Sequence, residues 1–150
     1  MEEPGFFPIR KLAIVGLGLI GGSLAVDIRR LGLATEIIGY DSNLENCSKA
    51  LELKLVDHCS PVPDDRLSDA SWLVLSVPVN STESVLDLFR PFLHPDVLIT
   101  DTGSVKAPLL ETMKNPENKD FKFVGGHPIA GGERFGPKAA VSSLFVGKRF

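Results

Sequence analysis

The run Leu12-Ala13-Ile14-Val15 leads straight into Gly16-x-Gly18-x-x-Gly21, and the apolar residues Leu24, Ala25, Val26, Ile28 and Leu31 follow at helical spacing. The pattern predicts a strand over 11–16, a tight glycine turn and a helix over about 20–31. Each glycine has its own physical task. Gly16 permits the sharp turn off the strand, Gly18 leaves the backbone open to a pyrophosphate, and Gly21 lets the helix pack closely on a sheet. Leu19 and Ile20 lie in the opening turn of that helix, whose free N–H groups and partial positive charge suit an anion. The stretch therefore reads as the phosphate-binding opening of a βαβ unit.

A second apolar run, Glu36-Ile37-Ile38-Gly39-Tyr40, predicts a strand over 36–40 that ends in Asp41. An acid about 20 residues beyond the last glycine completes a dinucleotide-binding fingerprint, because it can accept the ribose hydroxyls of the adenosine. The same charge repels a 2′-phosphate. Ser42 and Asn43 follow, with no Lys or Arg immediately behind the acid. NAD is therefore the expected cofactor in preference to NADP, with Asp41 and Ser42 at its ribose. The plainer reading leaves the glycines as turn and packing residues and Asp41 as a helix cap.

Further along, Asp41-Ser42-Asn43 caps a helix over about 44–53 with Leu44, Ala50, Leu51 and Leu53 as its apolar positions. Leu55-Val56-Asp57 leads into a proline-bearing loop over 61–65. Residues 71–77 form a continuous apolar run, as expected of a parallel strand covered on both faces. Asn80 and Ser81 can cap the next helix, with Val85, Leu86, Leu88 and Phe89 on its buried face. Strands over 96–101 and 122–124 and helices over 107–114 and 138–145 complete the pattern. Alternation of this kind predicts an α/β domain: a Rossmann-type, doubly wound, mainly parallel sheet with helices on both faces.

Composition narrows the function classes. The 150 residues suffice for one domain with a sizeable core, and 43% hydrophobic with 23% charged residues is ordinary for a globular chain. Net charge is −3 and Lys and Arg are scattered, so nothing points to nucleic acid. No apolar run reaches the roughly 18 residues of a membrane span, and the opening MEEPGFFPIR, with its acids and prolines, reads as a short extension before the first strand rather than as a signal peptide. Cys47 and Cys59 read as reduced cytosolic thiols, buried as small hydrophobes, and a cytoplasmic location is expected. His58 and His94 read as surface or capping residues, and no metal-ligand spacing is present.

Ligands of an open parallel sheet bind outside the carboxyl ends of its strands. Three segments fall there: Ser76-Val77-Pro78, Asp101-Thr102-Gly103-Ser104-Val105-Lys106, and the run from Gly126 through His127 to Glu133. Ser76, Val77, Pro78 and Thr102 are expected at the cofactor. His127 can take a proton from an alcohol as hydride leaves the same carbon, or it can simply cap a turn. Ser104 can bond both the histidine and a substrate oxygen, or cap the helix after it. A Ser-His pair also suits a hydrolase, but no G-x-S-x-G elbow surrounds Ser104. Lys106 steadies the loop or sits in water. Glu133 and Arg134 form a gating ion pair or are solvated charges.

Together these segments resemble the prephenate/arogenate dehydrogenase family of tyrosine biosynthesis. The matching pieces are GLGLIGGS (Gly16 to Ser23), Asp41, SVPV (Ser76 to Val79), TDTGSVK (Thr100 to Lys106), GGHPIAGGE (Gly125 to Glu133) and LFVGKRF (Leu144 to Phe150). The resemblance implies an NAD(P)-dependent oxidative decarboxylation of prephenate to 4-hydroxyphenylpyruvate, or of arogenate to tyrosine. His127 would accept the proton of the ring hydroxyl, and Ser104 would orient hydroxyl and histidine. Gly131, Gly132 and Glu133 would flank the substrate opening, with Glu133 as a gate. The family continues into a helical domain that dimerises and supplies an arginine for the substrate. Residues 1–150 are accordingly expected to be the cofactor domain alone, with weak or no dehydrogenase activity, and the full-length protein a homodimer. Two readings remain beside this one. A 3-hydroxyacid dehydrogenase would share the cofactor domain but use a lysine elsewhere, and an NAD-binding module would do no chemistry.

Overall fold

In the computed structural model, residues 7–103, 113, 114, 116, 121–126, 137 and 140 are described. Six strands form one sheet: β1 (Ile9–Val15), β2 (Ala34–Tyr40), β3 (His58–Ser60), β4 (Trp72–Leu75), β5 (Leu98–Asp101) and β6 (Lys122–Gly125). Their spatial order is β3-β2-β1-β4-β5-β6, and every pairing is parallel. Helices α1 (Leu19–Arg30), α2 (Leu44–Glu52) and α3 (Thr82–Phe89) connect them. The order reverses between β1 and β4, so the connections leaving these two neighbours diverge and open a crevice at their carboxyl ends.

The apolar runs of β1 and β4 are continuous because helices cover both faces. Leu12, Ile14 and Val74 pack with Ala25 of α1 and Ala50 of α2 on one face, while Ala13, Val15, Leu73 and Leu75 pack with Leu86 and Phe89 of α3 on the other. Such two-sided burial is what a strand without polar alternation requires. The expected doubly wound architecture is present, with strand positions close to those read from the sequence.

The differences have local causes. β3 is not among the strands expected from the sequence, since His58-Cys59-Ser60 has no apolar alternation; it forms because its backbone pairs with the open edge of β2 through Ile38, Gly39 and Tyr40. The apolar stripe of α2 differs as well: Cys47 and Ala50 are buried, one helical turn apart, while Leu44, Leu51 and Leu53 are exposed. In α3 the buried positions Thr82, Leu86 and Phe89 recur at i, i+4 and i+7, and this leaves Leu88 off the stripe and 56% exposed. Ser81 makes no side-chain cap; a short 3-10 turn at Val79–Ser81 leads into α3, and Thr82 Oγ1 bonds the Pro78 carbonyl.

Asn43 does cap α2, accepting from the Glu45 N–H at 2.9 Å. His94 Nδ1 likewise accepts the Asp96 N–H, and His58 lies exposed near Glu36. Among the described residues no helix is long and apolar enough to cross a membrane, and no group of His, Cys, Asp and Glu could hold a metal ion. The helices expected over 107–114 and 138–145 fall, apart from Met113, Lys114 and Ala140, outside the described residues.

Candidate functional site

The glycine loop spans the crevice between β1 and β4. Gly16 has φ +92°, and a Cβ there would lie 2.1 Å from the Ser76 carbonyl oxygen, so neither the conformation nor the space admits a side chain. A Cβ on Gly21 would lie 1.9 Å from the Gly16 carbonyl oxygen. These two glycines serve the fold itself, bringing loop, β4 and α1 together. Gly18 differs: a Cβ there would meet nothing within 4 Å. Its lack of a side chain leaves space above the start of α1 that the protein does not fill.

That helix terminus is suited to an anion. Gly18 is its N-cap without a side-chain cap bond, and the first turn, which opens with Leu19 and Ile20, carries no acidic residue. The N–H groups of the first turn have no partner within the helix, and the helix dipole adds positive potential.

Asp41 stands across the crevice at the end of β2. Its Oδ2 accepts the Leu17 N–H at 3.0 Å, and its Oδ1 accepts the Asn43 N–H at 3.0 Å and Asn46 Nδ2 at 3.2 Å. Its main chain is also held: the Asp41 N–H donates to the Ser60 carbonyl at 3.2 Å, and Cys47 Sγ donates to the Asp41 carbonyl at 3.3 Å.

Gly16, Gly18, Asp41, Ser42, Ser76, Val77 and Pro78 all line one cleft of about 280 Å³. Leu19, Ile20, Gly21 and Thr102 do not line it, although the first three belong to the adjoining helix terminus. The structure adds residues that sequence reading missed. Asn46 faces the cleft beside Asp41, and Pro61, Val85 and Leu88 form an apolar wall. Leu88 had been assigned to the core. An exposed leucine one position from the buried stripe is a signal visible only once the helix phase is known. The described residues lining the cleft include no Lys or Arg.

The β4 and β5 ends are joined by Thr102, whose N–H donates to the Leu75 carbonyl at 3.0 Å and whose Oγ1 donates to Ser76 Oγ at 3.2 Å. Buried Asp101 ties the next two segments together. Its Oδ2 accepts the Gly103 N–H at 3.1 Å and its carbonyl accepts the Gly126 N–H at 3.0 Å. The residues directly before Ser104 and His127 thus meet on one aspartate. Ser104, Lys106, His127, Gly131, Gly132, Glu133 and Arg134 lie outside the described residues.

Two groups near the cleft have raised pKa values. Burial holds the Tyr40 phenol protonated, reinforced by its hydrogen bond to Asp64 Oδ1 at 2.9 Å. Burial likewise raises the Cys59 thiol, with a hydrogen bond to the Cys47 thiol as the next cause. Both thiols are free, Cys47 buried and Cys59 half-buried.

Comparison with known proteins fits this geometry. The family profile described as "Prephenate dehydrogenase, nucleotide-binding domain" matches residues 24–150. A prephenate dehydrogenase of Bacillus subtilis is 33% identical over 135 residues, which cover 89% of this chain and 36% of that protein. Among solved structures, prephenate dehydrogenase from A. aeolicus, in complex with hydroxyphenyl propionate and NAD+, superposes with TM-score 0.83 at 36% identity, covering 93% of this chain and 49% of that one. Synechocystis arogenate dehydrogenase gives TM-score 0.79 at 36% identity, covering 92% of this chain and 48% of that one. The chain thus spans half or less of the length of these relatives. With an open glycine loop over an uncapped helix terminus and this extent of likeness, the chain belongs to the prephenate dehydrogenase family, whose nucleotide-binding domain its residues 24–150 match.

Proposed function

We propose that this chain binds NAD in preference to NADP and serves the oxidative decarboxylation of prephenate or arogenate, giving 4-hydroxyphenylpyruvate or tyrosine in the cytoplasm. The observation that carries the cofactor reading is the open space at Gly18, above an uncapped α1 terminus and facing Asp41. The residues present fit the dinucleotide. The α1 terminus would hold the pyrophosphate, Asp41 and Ser42 the adenosine ribose, and Pro61, Val85 and Leu88 the adenine. A 2′-phosphate would meet the Asp41 carboxylate with no cation among the described lining residues to offset it.

When bound, the oxidised nicotinamide supplies the hydride acceptor. The chain's own part is to orient and to move one proton. Ser76 and Thr102, bonded to each other, lie toward the nicotinamide end of the crevice, and the β5 and β6 ends lead into Ser104 and His127. His127 would accept the proton of the substrate hydroxyl, and Ser104 would orient both. Gly131, Gly132 and Glu133 would flank the substrate opening. The further length of the relatives would supply the carboxylate clamp, the exclusion of water and the homodimer contact, so residues 1–150 alone would bind NAD with little turnover.

Calorimetric titration with NAD+ and NADP+, then assays with prephenate and arogenate, tests the reading. NAD+ binding without turnover in this chain, and turnover in a chain carrying the second half, is the expected result. Failure of the folded chain to bind either nucleotide overturns it.

A further inference from the structure

The Asp41 carboxylate offers about four acceptor sites, and protein donors occupy three of them. Two of these donors, the N–H groups of Leu17 and Asn43, are backbone, placed by the glycine loop and by the start of α2. The third, Asn46 Nδ2, is the only side chain of the three, and it lines the cleft itself. The Asp41 main chain is pinned by Ser60 and Cys47 and each carboxylate oxygen has a backbone donor, so the freedom left to the residue is a tilt of its carboxylate within that frame.

We propose that Asn46 is a positioning residue for cofactor selection. Through its bond to Oδ1 it holds the Asp41 carboxylate turned into the cleft, with its open acceptor site toward the ribose hydroxyls and its charge fixed opposite the 2′ position. This rests on the NAD reading above. Without Asn46 the carboxylate, still bonded to the Leu17 and Asn43 N–H groups, can tilt within that frame, which weakens the ribose bond and relaxes the repulsion of a 2′-phosphate together. A residue that only stabilised α2 would change neither the NAD+/NADP+ ratio nor its own effect when Asp41 is replaced.

The test is a double-mutant cycle on NAD+ and NADP+ dissociation constants, measured by calorimetry on the 150-residue chain with melting temperatures alongside. The variants are Asn46→Leu, Asp41→Ser and the pair, with Asn46→Ala as a second truncation should the leucine disturb folding. Asn46→Leu is expected to weaken NAD+ binding by roughly tenfold, the scale of one hydrogen bond to a charged group, and to narrow the preference for NAD+ over NADP+. In the Asp41→Ser background the same change should add less than about twofold, because its target is gone. The proposal is overturned if Asn46→Leu and Asn46→Ala leave the NAD+/NADP+ ratio unchanged, or if their effect persists in full without Asp41. If Asp41→Ser itself leaves NAD+ affinity untouched, the assignment of the ribose site falls and this inference falls with it.

Discussion

Asp41 Oδ2 accepts the backbone N–H of Leu17 at 3.0 Å, so the acid that ends β2 is bonded directly to the glycine loop that leaves β1. The two halves of the fingerprint, separated by 24 residues, are therefore one mechanical unit. Phosphate and ribose sites cannot shift independently. Asp41→Ser should then act twice. It should weaken NAD+ binding, and it should destabilise the folded chain by about 1 kcal/mol because the Leu17 N–H loses its acceptor. Calorimetry and denaturant melts on the same sample measure both, and a change in affinity with no change in stability would show that the bond to Leu17 contributes nothing to the fold.

The three glycines should separate by phenotype. Gly16→Ala and Gly21→Ala place a methyl about where a carbonyl oxygen already stands, at 2.1 and 1.9 Å, and should leave little folded protein. Gly18 has φ −80° and open space around it, so Gly18→Ala should fold with stability within about 0.5 kcal/mol of the parent. Its NAD+ affinity should nevertheless fall by at least about tenfold, because the methyl takes the space assigned to the pyrophosphate. Circular dichroism melts and NAD+ titration decide the matter; tight NAD+ binding by Gly18→Ala would move the pyrophosphate elsewhere.

Alkaline stability follows from Tyr40 and Cys59. Both are held protonated in the fold above their ordinary values of 10.0 and 9.0, chiefly by burial. The unfolded chain releases these protons first, so their contribution is complete below pH 9 and is lost as pH rises through 9 for Cys59 and 10 for Tyr40. Denaturation midpoints should fall above pH 9, and Tyr40→Phe should flatten the part of the decline above pH 10. An equally steep fall in that variant would assign the alkaline loss to other groups.

In a chain carrying the second half, His127→Asn should lower kcat by a factor of about 10² to 10⁴, the usual worth of a general base, and leave NAD+ affinity unchanged. Ser104→Ala should cost less, about tenfold, if it orients rather than accepts the proton. Steady-state kinetics with prephenate and arogenate measure both. Undiminished turnover without His127 would remove it from the chemistry.

Much of the architecture was legible in the residues alone. The glycine spacing after Leu12–Val15 marks the turn from strand into helix, and the unbroken apolar runs of β1 and β4 report burial on both faces whatever lies opposite. Asp41 was legible because the βαβ unit sets its distance from the loop. Other features depended on neighbours distant in sequence. His58–Ser60 is a strand only because β2 offers it an edge, and Leu88 lines the cleft rather than the core because the buried stripe of α3 runs through Thr82, Leu86 and Phe89. Thr102 reaches Ser76 across 26 residues of chain, and even the short-range contact of Asn46 with Asp41 depends on how α2 leaves β2 rather than on any periodicity. Local spacing determines which elements form and which way the backbone turns. Which side chains meet at the site depends on helix phase and strand order, and those are decided when the whole sheet packs.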